Sequence, residues 1–190
     1  LVDPASEKKK DNDSTAMVVI GLGADDNYYI LDIVRDRLNL TERAEKLFGL
    51  HRHWRPRGVG YEKYGLQVDV EFMRIQMREQ NYRFEITELG GQMAKHDRIR
   101  RLVPLFESGR IYIQESIRQK DYEGRIVDLT YSFVEDEYKP FPVGLHEDVL
   151  DAMARICDPG MPLIWPKPLP APEERYARRR RKRAPSSWSA

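Results

Sequence analysis

A single cysteine, Cys157, in 190 residues leaves no partner for an internal disulfide and no ligand set for a cysteine-based zinc cluster. Beside the apolar Ile156 it reads as a packing residue. No apolar run approaches the length needed to cross a bilayer, and the first residues carry neither the charged stretch nor the apolar stretch of a signal peptide, so a cytoplasmic setting is expected. A Gly-x-x-x-x-Gly-Lys-Ser/Thr stretch is missing as well, so ATP hydrolysis on a P-loop is not expected from this chain. No internal repeat occurs, which sets aside solenoid and propeller architectures.

What is present describes one globular unit with a charged surface. Hydrophobic residues make up 41% and charged residues 33%, a balance that supports a buried core and excludes disorder of the whole chain. The net charge of +1 hides an asymmetry. From Glu173 onward, seven basic residues (Arg175, Arg178, Arg179, Arg180, Arg181, Lys182 and Arg183) stand against Glu173 and Glu174, a surplus of five that leaves residues 1–172 at −4. A mildly acidic body with a cationic tail suits a nucleic-acid partner whose phosphates the tail neutralises, and equally suits a solubilising or localisation tail.

Along the chain, Leu1-Val2-Asp3-Pro4 reads as the edge of a first strand, closed by a proline that cannot donate to a ladder. Lys8 to Ser14 is polar and loop-like. Thr15 to Leu22 is almost continuously apolar and predicts a strand buried on both faces. Ala24 to Asn27 supplies turn chemistry before Tyr28 to Val34, so three antiparallel strands lie side by side. From Thr41 the period turns helical, with Asn39 or Thr41 available as a cap. Strand, helix and strand then follow at 57–62, 68–80 and 82–87, a pattern that favours a parallel crossover. Further helices are expected at 95–106, 121–134 and 145–157, with a short strand at 110–113. The expected class is α/β, with a mixed sheet of antiparallel then parallel strands flanked by helices. Residues 1–157 would form the domain. Residues 158–190 would be a linker, rich in proline to Pro172, and a basic tail.

Three acids fall where strand or helix termini meet this sheet: Asp3 at the end of the first strand, Glu62 at the end of the fourth, and Asp148 in the last helix. Cleaving a phosphodiester requires Mg²⁺ or Mn²⁺ held by hard oxygen ligands, and carboxylates at adjacent strand ends can hold two ions about 3.5 to 4 Å apart. With 31 Asp and Glu in the chain, spacing alone leaves these acids open between a metal site and ordinary surface charge. His51 and His53 alternate near a helix end without further ligands and read as surface residues.

Four segments, in order, resemble the nuclease domain of phage terminase large subunits: Val2 to Ala5; Asn12-Asp13-Ser14-Thr15-Ala16 leading into an apolar strand; Val59-Gly60-Tyr61-Glu62-Lys63; and Leu145-His146-Glu147-Asp148-Val149-Leu150-Asp151-Ala152. The resemblance implies a ribonuclease H-like fold, a two-metal endodeoxyribonuclease using Mg²⁺ or Mn²⁺, and double-stranded viral DNA as substrate during genome packaging. It carries the metal ligands onto Asp3, Glu62 and Asp148, and places Asp13 and Glu147 close to the metals; the family's late motif has two adjacent aspartates, and Glu147 replaces the first. Lys95-His96-Asp97-Arg98-Ile99 is similar to the family's basic stretch, which implies that Lys95 and Arg98 face DNA phosphates; Arg178, Arg179, Arg180, Arg181, Lys182 and Arg183 are candidate DNA contacts by charge alone. Implied partners are an ATPase motor preceding this domain, a portal and a small terminase subunit. The alternatives are another ribonuclease H-like nuclease, a resolvase or a ribonuclease, and a DNA-binding or assembly module without catalysis.

Overall fold

The computed structural model describes residues 1–5, 14–63 and 67–168. Its centre is a six-stranded sheet built outward from Val2–Asp3 (β1). On one side β1 runs antiparallel to Thr15–Leu22 (β2), which pairs antiparallel with Tyr28–Asp36 (β3). On the other side β1 is parallel to Val59–Glu62 (β4), which is parallel to Ile86–Leu89 (β5). Ile111–Ile113 (β6) closes the far edge, parallel to β3, giving the order β5-β4-β1-β2-β3-β6. The three antiparallel strands followed by parallel ones are the mixed sheet that the apolar periodicity predicts.

Side chains alternate across a strand, so neighbours in sequence feed opposite faces. Met17 belongs to one core with Val2, Tyr61, Leu47, Phe48 and Met73. Ala16 and Val18 belong to the other, with Ile99, Leu102, Val149 and Met153. The first core lies under Leu40–Trp54 (α1) and Gln67–Glu79 (α2), the second under the later helices. Covering both faces is why β2 is almost continuously apolar. The start of α1 is fixed by Asn39, whose side chain accepts from the Glu42 N–H while Glu42 returns a bond to the Asn39 N–H, a reciprocal cap of about 1 kcal/mol.

Three expectations are corrected. The helix predicted at 95–106 is broken into Lys95–Arg100 (α3) and Val103–Glu107 (α4). Pro104 has no N–H to offer the carbonyl of Arg100, so the first helix cannot run on through it. The helix predicted at 121–134 is a hairpin, Arg118–Lys120 (β7) paired antiparallel with Ile126–Asp128 (β8), before Leu129–Ser132 (α5) and a π-helical turn, Phe133–Tyr138. Asp121 makes that turn by accepting from the backbone N–H groups of Glu123 and Arg125, and Gly124 takes φ +81°, a left-handed conformation suited to glycine. The last helix is shorter than 145–157. It runs over Asp148–Ala154 (α6), with a 3₁₀ turn at Arg155–Cys157, and Leu145 lies outside it, 92% exposed.

Residues 158–168 have no regular structure, yet Met161 lies beside Gly58 and Gly60, and Trp165 meets Tyr28 edge-on at 5.1 Å. Among the described residues no helix is long and apolar enough to cross a membrane.

Candidate metal centre

Alternation along the strands decides where the acids point. Val2 and Tyr61 pair across β1 and β4 and enter the core beneath α1 and α2. Asp3 and Glu62, each one residue further on, therefore face the other side of the sheet, beneath α6. Asp151 descends onto the same side from α6, and one carboxylate oxygen from each of Asp3, Glu62 and Asp151 lies within 4.8 Å of the others.

The third member is Asp151, where Asp148 was expected. Every residue of α6 from Val149 to Ala154 is buried, because the helix is enclosed by the sheet on one side and by α3 and the π-helical turn on the other. A helix buried all round has no polar back, so Asp151 points into the interior. Asp148, at the first turn, is paired instead with Arg35, Nε to Oδ2 at 3.1 Å, and stays near enough to Asp3 to act on it electrostatically. Glu147 is buried too, its Oε1 3.0 Å from His96 Nε2 and its Oε2 3.8 Å from Lys95 Nζ.

A second correction concerns Arg98, expected at the DNA surface. It is 1% exposed and grips Asp151 with two parallel bonds, Nε to Oδ1 and Nη2 to Oδ2, each 2.6 Å. A buried carboxylate must be paired, and this pairing fixes the inward side chain of Asp151. Arg155 does the same for Glu62, donating from Nη2 to Oε1, while its Nη1 reaches Asp158 at 3.0 Å. Arg155 is not among the residues singled out from the sequence, and Asp151 stands there within the late motif without a ligand role. The signal was present: an acid and, four residues later, an arginine lie inside the apolar run Val149 to Ile156, where charge persists only if it is partnered.

Lys95 keeps a partly exposed side chain, and its charge is felt by Asp3. Asp13 and Arg178, Arg179, Arg180, Arg181, Lys182 and Arg183 lie outside the described residues. His51 is held by Tyr82, Nδ1 to the hydroxyl at 2.8 Å, and stacks on Phe84 at 4.0 Å.

Divalent metal suits this pocket on three counts. The donors are all carboxylate oxygens, the hard ligands of Mg²⁺ and Mn²⁺. Glu62 Oε2 is buried without a hydrogen-bond partner among the described residues, an acceptor left for a cation. Burial first, then the charges of Glu62 and Asp151, hold the Asp3 carboxyl well above the usual carboxylate range, the mark of a like-charged cluster short of positive charge.

The family model described as the terminase RNaseH-like domain matches residues 1–157. No curated protein matches the chain.

Proposed function

Since the chain belongs to the terminase RNaseH-like family, we propose that it is a metal-dependent endonuclease domain that cuts double-stranded viral DNA during genome packaging. The observation that carries this reading is the meeting of Asp3, Glu62 and Asp151 at the carboxyl ends of β1 and β4 beneath α6. These three acids would hold the metal, with Asp148 adding negative charge from its place beside Arg35. Bound Mg²⁺ or Mn²⁺, as a pair, supplies the Lewis acidity that activates water and stabilises the leaving oxygen. The chain's own residues do the rest. Glu62 presents its unpartnered Oε2, the guanidiniums of Arg98 and Arg155 keep Asp151 and Glu62 from swinging, and Lys95 offers a partly exposed cation to a DNA phosphate.

In the packaging machine this domain would follow an ATPase motor and work with a portal and a small terminase subunit in the host cytoplasm. Incubating the protein with supercoiled plasmid and Mg²⁺ or Mn²⁺, then with excess chelator, tests the reading. Nicking or linearisation is expected only with metal, and Asp3→Asn is expected to fold and not cut. Cleavage that persists in chelator would sink the proposal. Preference for an RNA–DNA hybrid or branched DNA over plain duplex would move it to a ribonuclease or a resolvase, and absence of any cleavage to a binding or assembly module.

A further inference from the structure

Two guanidiniums are built into the acidic cluster. Arg155 donates to Glu62 Oε1, Arg98 Nη2 stands 3.6 Å from that same oxygen, and Arg98 also closes on both oxygens of Asp151. Both arginine side chains are at most 3% exposed. Neither is held only by the cluster: Arg98 Nη1 donates to the Met93 carbonyl at 3.3 Å, and Arg155 Nη1 to Asp158. With all three acids ionised, as metal binding requires, the two arginines leave one net negative charge where the acids alone would carry three. The next acid out, Asp148, has its own cation in Arg35.

A phosphodiester-cutting centre needs its acids to attract metal, and buried arginines among them work against that attraction. Their gain lies in the metal-free protein. Three acids crowded within 4.8 Å and left unpaired would repel one another and destabilise the fold.

We propose that Arg98 and Arg155 are positioning residues that act as resident counter-cations of the metal centre: they hold Asp151 and Glu62 in place when no metal is bound, and they weaken the binding of divalent ions. The inference rests on the metal-centre reading above. A divalent ion among these oxygens would sit a few ångströms from each guanidinium. Removing one such charge should tighten ion binding on the order of tenfold. By linkage, it should also raise the stabilisation that the ion confers.

The full chain and its Arg98→Gln, Arg155→Gln and Arg155→Lys variants would be titrated with Mn²⁺, free ion being read by electron paramagnetic resonance, and melted with and without Mn²⁺. Both glutamine variants are expected to melt lower without metal, to bind Mn²⁺ about tenfold more tightly, and to gain more in Tm when it is added; Arg155→Lys, which keeps the charge, should bind much as the parent does. Glutamine variants that bind Mn²⁺ no more tightly than the parent overturn the proposal, since a purely structural role predicts loss of stability alone. If a glutamine variant is unfolded without metal, circular dichroism during Mn²⁺ addition decides: recovery of the fold supports the counter-cation role, and no recovery overturns it. A parent protein that binds no Mn²⁺ removes the metal-centre reading itself. A parent that binds it beside unaltered glutamine variants removes only this inference.

Discussion

Asp148 and Asp151 lie three residues apart on one short helix and have different neighbours, Arg35 for the first and Arg98 for the second. Only Asp151 brings an oxygen among those of Asp3 and Glu62. Asp151→Asn is therefore expected to lower metal-dependent cleavage by about a hundredfold or more, as befits the loss of a metal ligand worth several kcal/mol in the transition state. Asp148→Asn should stay within about tenfold of the parent, because it removes only a nearby charge. Cleavage rates of the two purified variants, with circular dichroism confirming their folds, measure the order, and an active Asp151→Asn beside an inactive Asp148→Asn would reverse the assignment. Asp3 and Glu62 were legible in the sequence because each ends a short strand whose preceding residue, Val2 or Tyr61, is apolar or aromatic and claims the opposite face. Asp151 was not, because an acid in a helix is ordinarily read onto a polar outer face, and α6 is buried on every side. Arg98 was misread for a related reason: a basic residue near a helix start looks solvated until its acidic partner, 53 residues away, is known.

The start of α6 is capped by a different element. Glu137, on the π-helical turn and 0% exposed, accepts at Oε2 from the backbone N–H groups of Val149 at 2.8 Å and Leu150 at 3.1 Å, doing what no side chain at Glu147 does. Burial, aided by the negative charge of Asp148, pushes its carboxyl up to about 7, against the opposing pull of Arg35 and the two N–H bonds. A carboxyl raised from 4.5 to about 7 binds its proton more readily in the folded than in the unfolded chain. Its contribution to stability is therefore full below pH 4.5 and is lost as pH rises toward 7, on the order of 3 kcal/mol at most. Glu137→Gln keeps an acceptor for the helix and has no proton to lose, so its stability relative to the parent should improve between pH 5 and pH 7.5. Urea unfolding across that range is the measurement, and parallel curves for the two proteins would exclude the effect. The β7–β8 hairpin yields a second expectation at this scale. A Cβ at Gly124 meets nothing within 4 Å, so Gly124→Ala should cost about 1 kcal/mol through its left-handed backbone alone. Faster amide exchange at Gln119 and Val127, which pair across the hairpin, would report it. The long strands and α1 were legible from apolar period and capping, whereas this hairpin was not, since its strands are three residues each and too short to show a period against helical spacing.

Charge divides the whole molecule in a way that no single site expresses: the tail from Glu173 carries a surplus of five positive charges, and residues 1–172 carry −4. The acids that would hold metal belong to the negative part, which by itself repels DNA at long range. Arg98, a cation expected to offset this, is occupied with Asp151, and Lys95 is one partly exposed cation beside Glu147. On the proposed reading, affinity for phosphates would then come largely from the tail, which lies outside the described residues. Each phosphate that the tail neutralises releases counterions and steepens the salt dependence of binding by about 0.9 in the slope of log K against log salt. Removing residues 173–190 is therefore expected to weaken duplex binding at low salt and flatten that slope. Metal affinity should stay unchanged, because Asp3, Glu62 and Asp151 all lie in the retained part. Cleavage by the shortened protein should recover toward the parent rate as DNA concentration is raised, a defect in KM with kcat kept. Binding isotherms at several salt concentrations, set beside cleavage rates at saturating DNA, separate the two contributions. An unchanged slope would assign the tail to a protein partner, and a fall in kcat at saturating DNA would mean that the tail also helps to place the scissile phosphate over the acids.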